Sequence, residues 1–105
     1  MAVTALELMN ELHIDTDDVE TKTVQGLIDY AKEIVTDSVT DDLTTEQLET
    51  KYPKLFDLAT KNLATSMYYD RELTNGTSKG YRMVIIHLSA KVDIDAKNSG
   101  EDNEV

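Results

Sequence analysis

Cysteine and tryptophan are absent from the chain, which also has only one proline, one phenylalanine and four glycines. Without cysteine, neither a disulfide nor a thiolate metal site can form. No apolar run approaches the roughly 20 residues that a membrane-spanning helix needs. The first twelve residues lack a basic segment followed by a long apolar core, so we expect no secretory signal and a soluble intracellular protein.

Basic residues are also scarce, since ten Lys and Arg stand against 21 Asp and Glu in 105 residues. The formal net charge is −11. Nonspecific binding to DNA or to an anionic membrane needs a surplus of bases, so we expect neither. A chain of this length forms one domain with a single modest core.

Catalytic signatures are absent from the sequence. The patterns HExxH, GxSxG and GxxxxGK do not occur. We expect His13 to be exposed in an acidic turn and His87 to be a structural residue on a helix face. The acids that begin at Asp15 fail the EF-hand pattern, because Glu20 takes the place of its glycine and Gly26 that of its glutamate. We therefore predict no enzyme, no metal site and no cofactor.

Helical periodicity is clearest in Tyr52–Glu72, YPKLFDLATKNLATSMYYDRE. Its proline stands where a first helical turn accepts one. The residues predicted to face the core recur every three or four positions; they are Leu55, Phe56, Ala59, Leu63, Ser66 and Met67. The opposite side is predicted to hold Ala64 and Arg71, together with Asp57 and Lys61, which are spaced to pair.

Two helices are predicted before this segment. A short one begins at Thr4, which has capping-box spacing to Glu7. A longer one runs from about residue 18 to about residue 39, with Asp15 or Asp17 as its N-cap. Between this helix and Tyr52, the polar connection contains a short turn that Thr44 and Gln47 would cap.

The last apolar segment, Tyr81–Leu88, suits either a strand or a helix, because it is rich in β-branched residues. A lone strand has no partner here, so we predict a short fourth helix with Met83, Val84 and Ile86 facing the core. The predicted fold is an all-α bundle of three to four helices with a long central pair. It occupies residues 1–90, and an acidic, disordered tail occupies residues 91–105.

Two tyrosines and an arginine cluster where the helix of Tyr52–Glu72 ends. On a helical projection Tyr68 falls on the polar side, whereas Tyr69 lies near the apolar edge. Tyr and Arg are prominent in protein-interface hot spots. An exposed tyrosine without any partner explains the pattern equally well.

At these residues the chain resembles the head–tail connector proteins of tailed bacteriophages and prophages, small α-helical adaptors also described as DNA-packaging proteins. The resemblance covers roughly residues 6–88. It is carried by LHIDTDDVETKTVQGLIDYAKEIV and by YP followed by an apolar helix ending in MYYDRE. In that family the helix ends with an aromatic residue, an acid or amide, arginine and glutamate. The family's proline-led turn before the last helix is replaced here by TSKGYRMVIIHL.

The resemblance implies a structural protein of the virion, made in the host cytoplasm. It would form a homo-oligomeric ring beneath the portal protein, extend the DNA channel without binding DNA specifically, and contact the next head-completion or tail protein. The predicted interface residues are Leu58, Tyr68, Arg71 and Glu72. The alternative is an acidic regulatory protein or DNA mimic that binds a basic partner, as the net charge would allow.

Overall fold

The structure, a computed structural model, describes residues 3–70 and 79–104, with side chains up to residue 98. These residues form five helices and no strand, which confirms the predicted all-α class. The helices are α1 Ala5–Glu11, α2 Asp18–Val39, α3 Thr45–Lys51, α4 Pro53–Tyr69 and α5 Lys79–Glu104. The count exceeds the predicted three to four because the connection before Tyr52 contains a complete short helix.

Local capping explains where the first three helices begin. The side chains of Thr4 and Asp17 each accept a hydrogen bond from the backbone N–H three residues later. Thr44 and Gln47 form a reciprocal capping box at the start of α3. Each of these contacts pairs a backbone donor that a helix start otherwise leaves without a partner.

The core lies between α2, α4 and α5, each of which contacts the other two. Helix α1 packs on α2, and α3 contacts both α2 and α4. Burying a large apolar side chain contributes about 1.5–3 kcal/mol before conformational entropy is subtracted. The large apolar side chains with almost no exposure are Met9, Ile28, Val35, Leu48, Phe56, Leu63 and Leu88.

Helix α4 is buried over a wider arc than its sequence pattern predicts. Ala64, predicted on the polar side, is buried, and Ser66, predicted in the core, is only half-buried. The burial of Ala64 is consistent with the coverage of α4 by α5 as well as by α2. Lys61 reaches across to α1, where its Nζ lies 2.8 Å from Oε1 of Glu11.

Helix α5 confirms that Tyr81–Leu88 is helical but corrects which of its residues face the core. Met83 and Ile86 are exposed, and Val84 is half-buried. The prediction that Met83 and Ile86 face the core was therefore wrong. Tyr81, Leu88 and Val92 are buried instead. The segment carries two apolar stripes, and periodicity alone does not say which stripe packs.

The prediction of a disordered tail from residue 91 also differs from the structure, since α5 continues to Glu104. Val92 is buried, and the Tyr52 hydroxyl donates a hydrogen bond to Asp95 Oδ2. Burial and this hydrogen bond raise the pKa of Tyr52 to about 12. These two contacts fix the middle of α5 to the rest of the domain.

Candidate functional site

The outer side of α5 carries an apolar stripe that no other described helix covers. Met83 is 70% exposed and Ile86 is 69% exposed, and Ala90 and Ile94 are exposed as well. Their spacing of three, four and four residues places them on one face of the helix, roughly opposite the buried face. From Met83 to Ile94 the stripe is about 17 Å long at 1.5 Å per residue. Large apolar side chains grouped in this way are typical of an interaction surface.

Sequence reasoning missed this surface because it assigned Met83 and Ile86 to the core. A signal was present, however, in YRMVIIHLSAKVDI, whose apolar residues occupy two helical stripes rather than one. A helix that is apolar on two sides is expected to have two partners. Only one of these two sides has a partner within the described part of the subunit.

Charge is distributed unevenly between α5 and the rest of the described chain. Residues 79–98 contain four Lys or Arg and two Asp, whereas residues 3–70 contain five Lys and fifteen Asp or Glu. The corresponding formal charges are +2 and −10. The apolar stripe therefore lies on the weakly basic part of α5, residues 79–98, and the other four helices form an acidic body.

The outer side of α2 forms a second exposed surface. Val19 is 73% exposed and Tyr30 is 57% exposed, and both lie on the same helical face as Gly26. A Cβ atom added to Gly26 would meet no atom within 4 Å. The charged residues exposed on or beside this face are Asp18, Lys22, Asp29, Glu33 and Asp37. We call the two surfaces the α5 stripe and the α2 face.

The two tyrosines at the end of α4 lie opposite to their predicted positions. Tyr68 is half-buried against the core, and its hydroxyl donates a 2.6 Å hydrogen bond to Oε2 of Glu20. Tyr69 is 67% exposed, and its ring meets that of Tyr68 edge-on with centroids 5.2 Å apart. Tyr68 thus connects the end of α4 to the start of α2, and Tyr69 is the more accessible of the pair.

The other predicted interface residues divide between the described and undescribed parts of the chain. Leu58 is 46% exposed on α4. Its spacing of eleven residues from Tyr69 places both on one side of that helix. Arg71 and Glu72 lie outside the described residues. The described part of the structure therefore does not bring the four predicted interface residues together in one site.

Charged side chains between the helices serve mainly to join them. Lys61 Nζ lies within 4 Å of both Glu7 and Glu11, and the bond to Glu11 is the main reason that the pKa of Lys61 is raised. Asp57 is different, because its Oδ1 is buried and has no hydrogen-bond partner among the described residues. Burial raises the pKa of the Asp57 carboxyl.

A concave site of about 450 Å³ on the described surface is lined by Glu46, Glu49, Thr50 and Pro53. Over residues 3–70 and 79–98, no group of three His, Asp or Glu side chains is placed to hold a metal ion. No helix in the described part of the chain is long and apolar enough to cross a membrane.

Comparison with known proteins adds no relative, since no family model, no curated protein and no solved structure matches this chain. A functional interpretation must therefore start from the α5 stripe, the α2 face and the division of charge between them. These features describe a small helical domain that presents two different outward surfaces.

Proposed function

We propose that this protein is a head–tail connector adaptor of a tailed bacteriophage or prophage. It assembles as a ring beneath the portal protein and extends the DNA channel toward the tail. The observation that carries the proposal is the pair of distinct outward surfaces, the α5 stripe and the α2 face, on one small all-α domain. The resemblance of YPKLFDLATKNLATSMYYDRE and the preceding segments to connector proteins supplies the biological setting.

A ring requires each subunit to carry two different surfaces that complement one another. Such a heterologous contact closes into a ring when the rotation between neighbours divides a full turn, and otherwise forms a filament. A subunit with two unlike exposed surfaces meets the first requirement. A strictly symmetric dimer would need only one self-complementary surface.

The acidic body is compatible with a channel that DNA passes through. Fifteen acids against five lysines over residues 3–70 would repel the phosphate backbone and so disfavour a stable complex with it. Leu58 and Tyr69, exposed on one side of α4, are then available to the portal or to the next head-completion or tail protein. Tyr68 would support this surface indirectly, through its contact with Tyr69.

The same acidic body favours a second candidate, a DNA mimic that occupies the basic groove of a nucleic-acid-binding partner. Such a complex would weaken steeply with added salt, because its contacts are mainly ionic. A connector held by apolar surfaces would be much less sensitive to salt. The mimic would also remain a monomer or dimer, whereas the connector forms larger assemblies.

The deciding experiment is light scattering of the purified chain with a portal ring from the same phage or prophage, across a concentration series. The connector proposal predicts a stable co-complex that persists in 0.5 M salt. A matched sample without portal measures self-association separately. A chain that ignores the portal at every concentration would refute the proposal, and a salt-sensitive complex with a basic protein would favour the mimic.

A further inference from the structure

We propose that the α5 stripe of one subunit packs against the α2 face of a second copy of this chain. The inference rests on the proposed function, because it names the contact between neighbouring subunits of the ring. It assigns Met83, Ile86 and Ile94 to one side of the contact, and Val19 and Tyr30 to the other. All five side chains are exposed within the subunit.

The two surfaces match in length, and the α2 face has open space at its centre. Met83 and Ile94 are eleven residues apart on α5, as are Val19 and Tyr30 on α2, so each surface extends about 17 Å. Gly26 lies between the two apolar side chains of the α2 face and leaves open space above the helix. Glycine in a helix interior costs about 0.5–1 kcal/mol relative to alanine. No contact among the described residues explains this cost at Gly26, but a second helix approaching closely would.

Charge complementarity selects a second copy as the occupant. The α5 stripe continues at its two ends with Lys79 and Lys97, which share its helical spacing and are exposed. The α2 face carries a surplus of exposed acids, since Asp18, Asp29, Glu33 and Asp37 stand against one base, Lys22. Opposite charges at the rim of an apolar contact favour this pairing and fix its orientation. Two α5 stripes facing each other would instead bring like charges together.

The arrangement of the helices allows further copies to be added after the first contact has formed. Because α2, α4 and α5 all contact one another, the outer sides of α2 and α5 point in different directions. After one contact forms, the pair still has one free α5 stripe and one free α2 face. Each added subunit repeats this situation until the chain of subunits closes into a ring.

The test is sedimentation velocity of the full chain, alone, over a wide concentration range. We expect the wild-type chain to form species larger than a dimer. Ile86→Glu places a charge on the α5 stripe, and Tyr30→Glu places one on the α2 face. Each variant alone should weaken association about tenfold or more, because a buried unpaired charge is costly. An equimolar mixture of the two variants should form a heterodimer that stops growing, since one intact surface of each kind remains.

Controls separate a lost contact from a damaged fold. Leu6→Glu replaces another exposed apolar side chain, on α1, and should assemble like the wild type. Circular dichroism melting should show both interface variants folded, because their side chains are exposed. Gly26→Ala should raise the melting temperature of the subunit and weaken assembly, because the added methyl occupies the space reserved for the neighbour.

Three results would overturn the inference. They are a wild-type chain that stays monomeric at all concentrations, an Ile86→Glu variant that assembles normally, and a variant mixture that fails to form a heterodimer. None of these depends on a portal. Conversely, a chain that assembles through these surfaces but does not bind the portal would support the inference and refute the proposed function.

Discussion

The acidic body formed by α1–α4 differs from helix α5 in how apolar side chains are distributed around the helices. In the body, α2 has one apolar stripe that is buried, and most of its opposite side is charged. Helix α5 has apolar side chains on two opposite sides, and its first five turns carry a surplus of bases. The difference indicates that the apolar stripe of α2 serves folding, whereas α5 also presents a second apolar side that no other described helix covers.

The strongest test of this comparison contrasts the two sides of α5. Leu88→Ala, on the buried side, should destabilise the domain by about 2–5 kcal/mol, because it leaves a cavity in a packed core. Ile86→Ala, on the exposed side, should change the stability of the monomer by less than about 0.5 kcal/mol. Urea unfolding of both variants at a concentration where the chain is monomeric measures the difference.

Ala90→Ser provides a matched control on the exposed side, with a small change in volume and a similarly small expected effect. If Ile86→Ala cost as much as Leu88→Ala, the outer stripe would be part of the core. Helix α5 would then no longer differ from α2 in having a second apolar side outside the core.

The success of sequence reasoning differs in the same way between the two regions. The bounds of α2 were predicted as residues 18 to 39 and are Asp18–Val39, because one stripe and an N-cap at Asp17 both specify them. The face of α5 was predicted wrongly, because both of its stripes satisfy the same periodicity. Only the packing of Tyr81, Leu88 and Val92 against α2 and α4 decides between them.

Tyr68 and Tyr69 show the same limit at the end of α4. A projection of α4 alone places Tyr68 on the polar side, yet this side is where α2 begins, and Glu20 accepts its hydroxyl. The sequence contains no local signal for a contact between residues 48 positions apart. A prediction of the interface from residue type alone therefore selected the tyrosine with the internal partner rather than the more exposed one.

A second prediction tests that internal contact within the body. Tyr68→Phe removes the hydroxyl that donates to Glu20 and should destabilise the domain by about 1–2 kcal/mol, because hydrogen bonds to charged groups contribute more than neutral ones. Tyr69→Phe removes a hydroxyl from the more exposed ring and should change stability by less than about 0.5 kcal/mol. Thermal and urea unfolding of the two variants provide the comparison.

Equal effects of the two tyrosine variants would show that the Glu20 contact contributes nothing measurable. A larger loss for Tyr69→Phe would reverse the assignment of the inner and outer ring. In either case the Tyr68–Glu20 hydrogen bond would not be what joins α4 to α2, and the contrast between a well-connected body and a partly exposed α5 would weaken.

The smallest expected effect concerns Asp57, because burial in the acidic body disfavours the charged form of its carboxyl. Burial raises the pKa of Asp57 above its ordinary value of 3.8, so the folded state binds this proton more readily than the unfolded state does. The resulting stability is present below about pH 4 and is lost as the pH rises through the raised value. Asp57→Asn should therefore stabilise the domain at pH 7, by less than about 1 kcal/mol because the group is partly solvated.

Near pH 3 this gain should vanish, because the wild-type carboxyl is then neutral in both states. The measurement is urea unfolding of wild type and variant from pH 3 to pH 7, with Asp41→Asn as a control at an exposed acid. A gain that did not change with pH would assign the effect to packing rather than to charge. A loss at pH 7 would mean that attraction from Lys32 and Lys61 outweighs burial, and that the body uses this acid as it uses Glu11, to join helices.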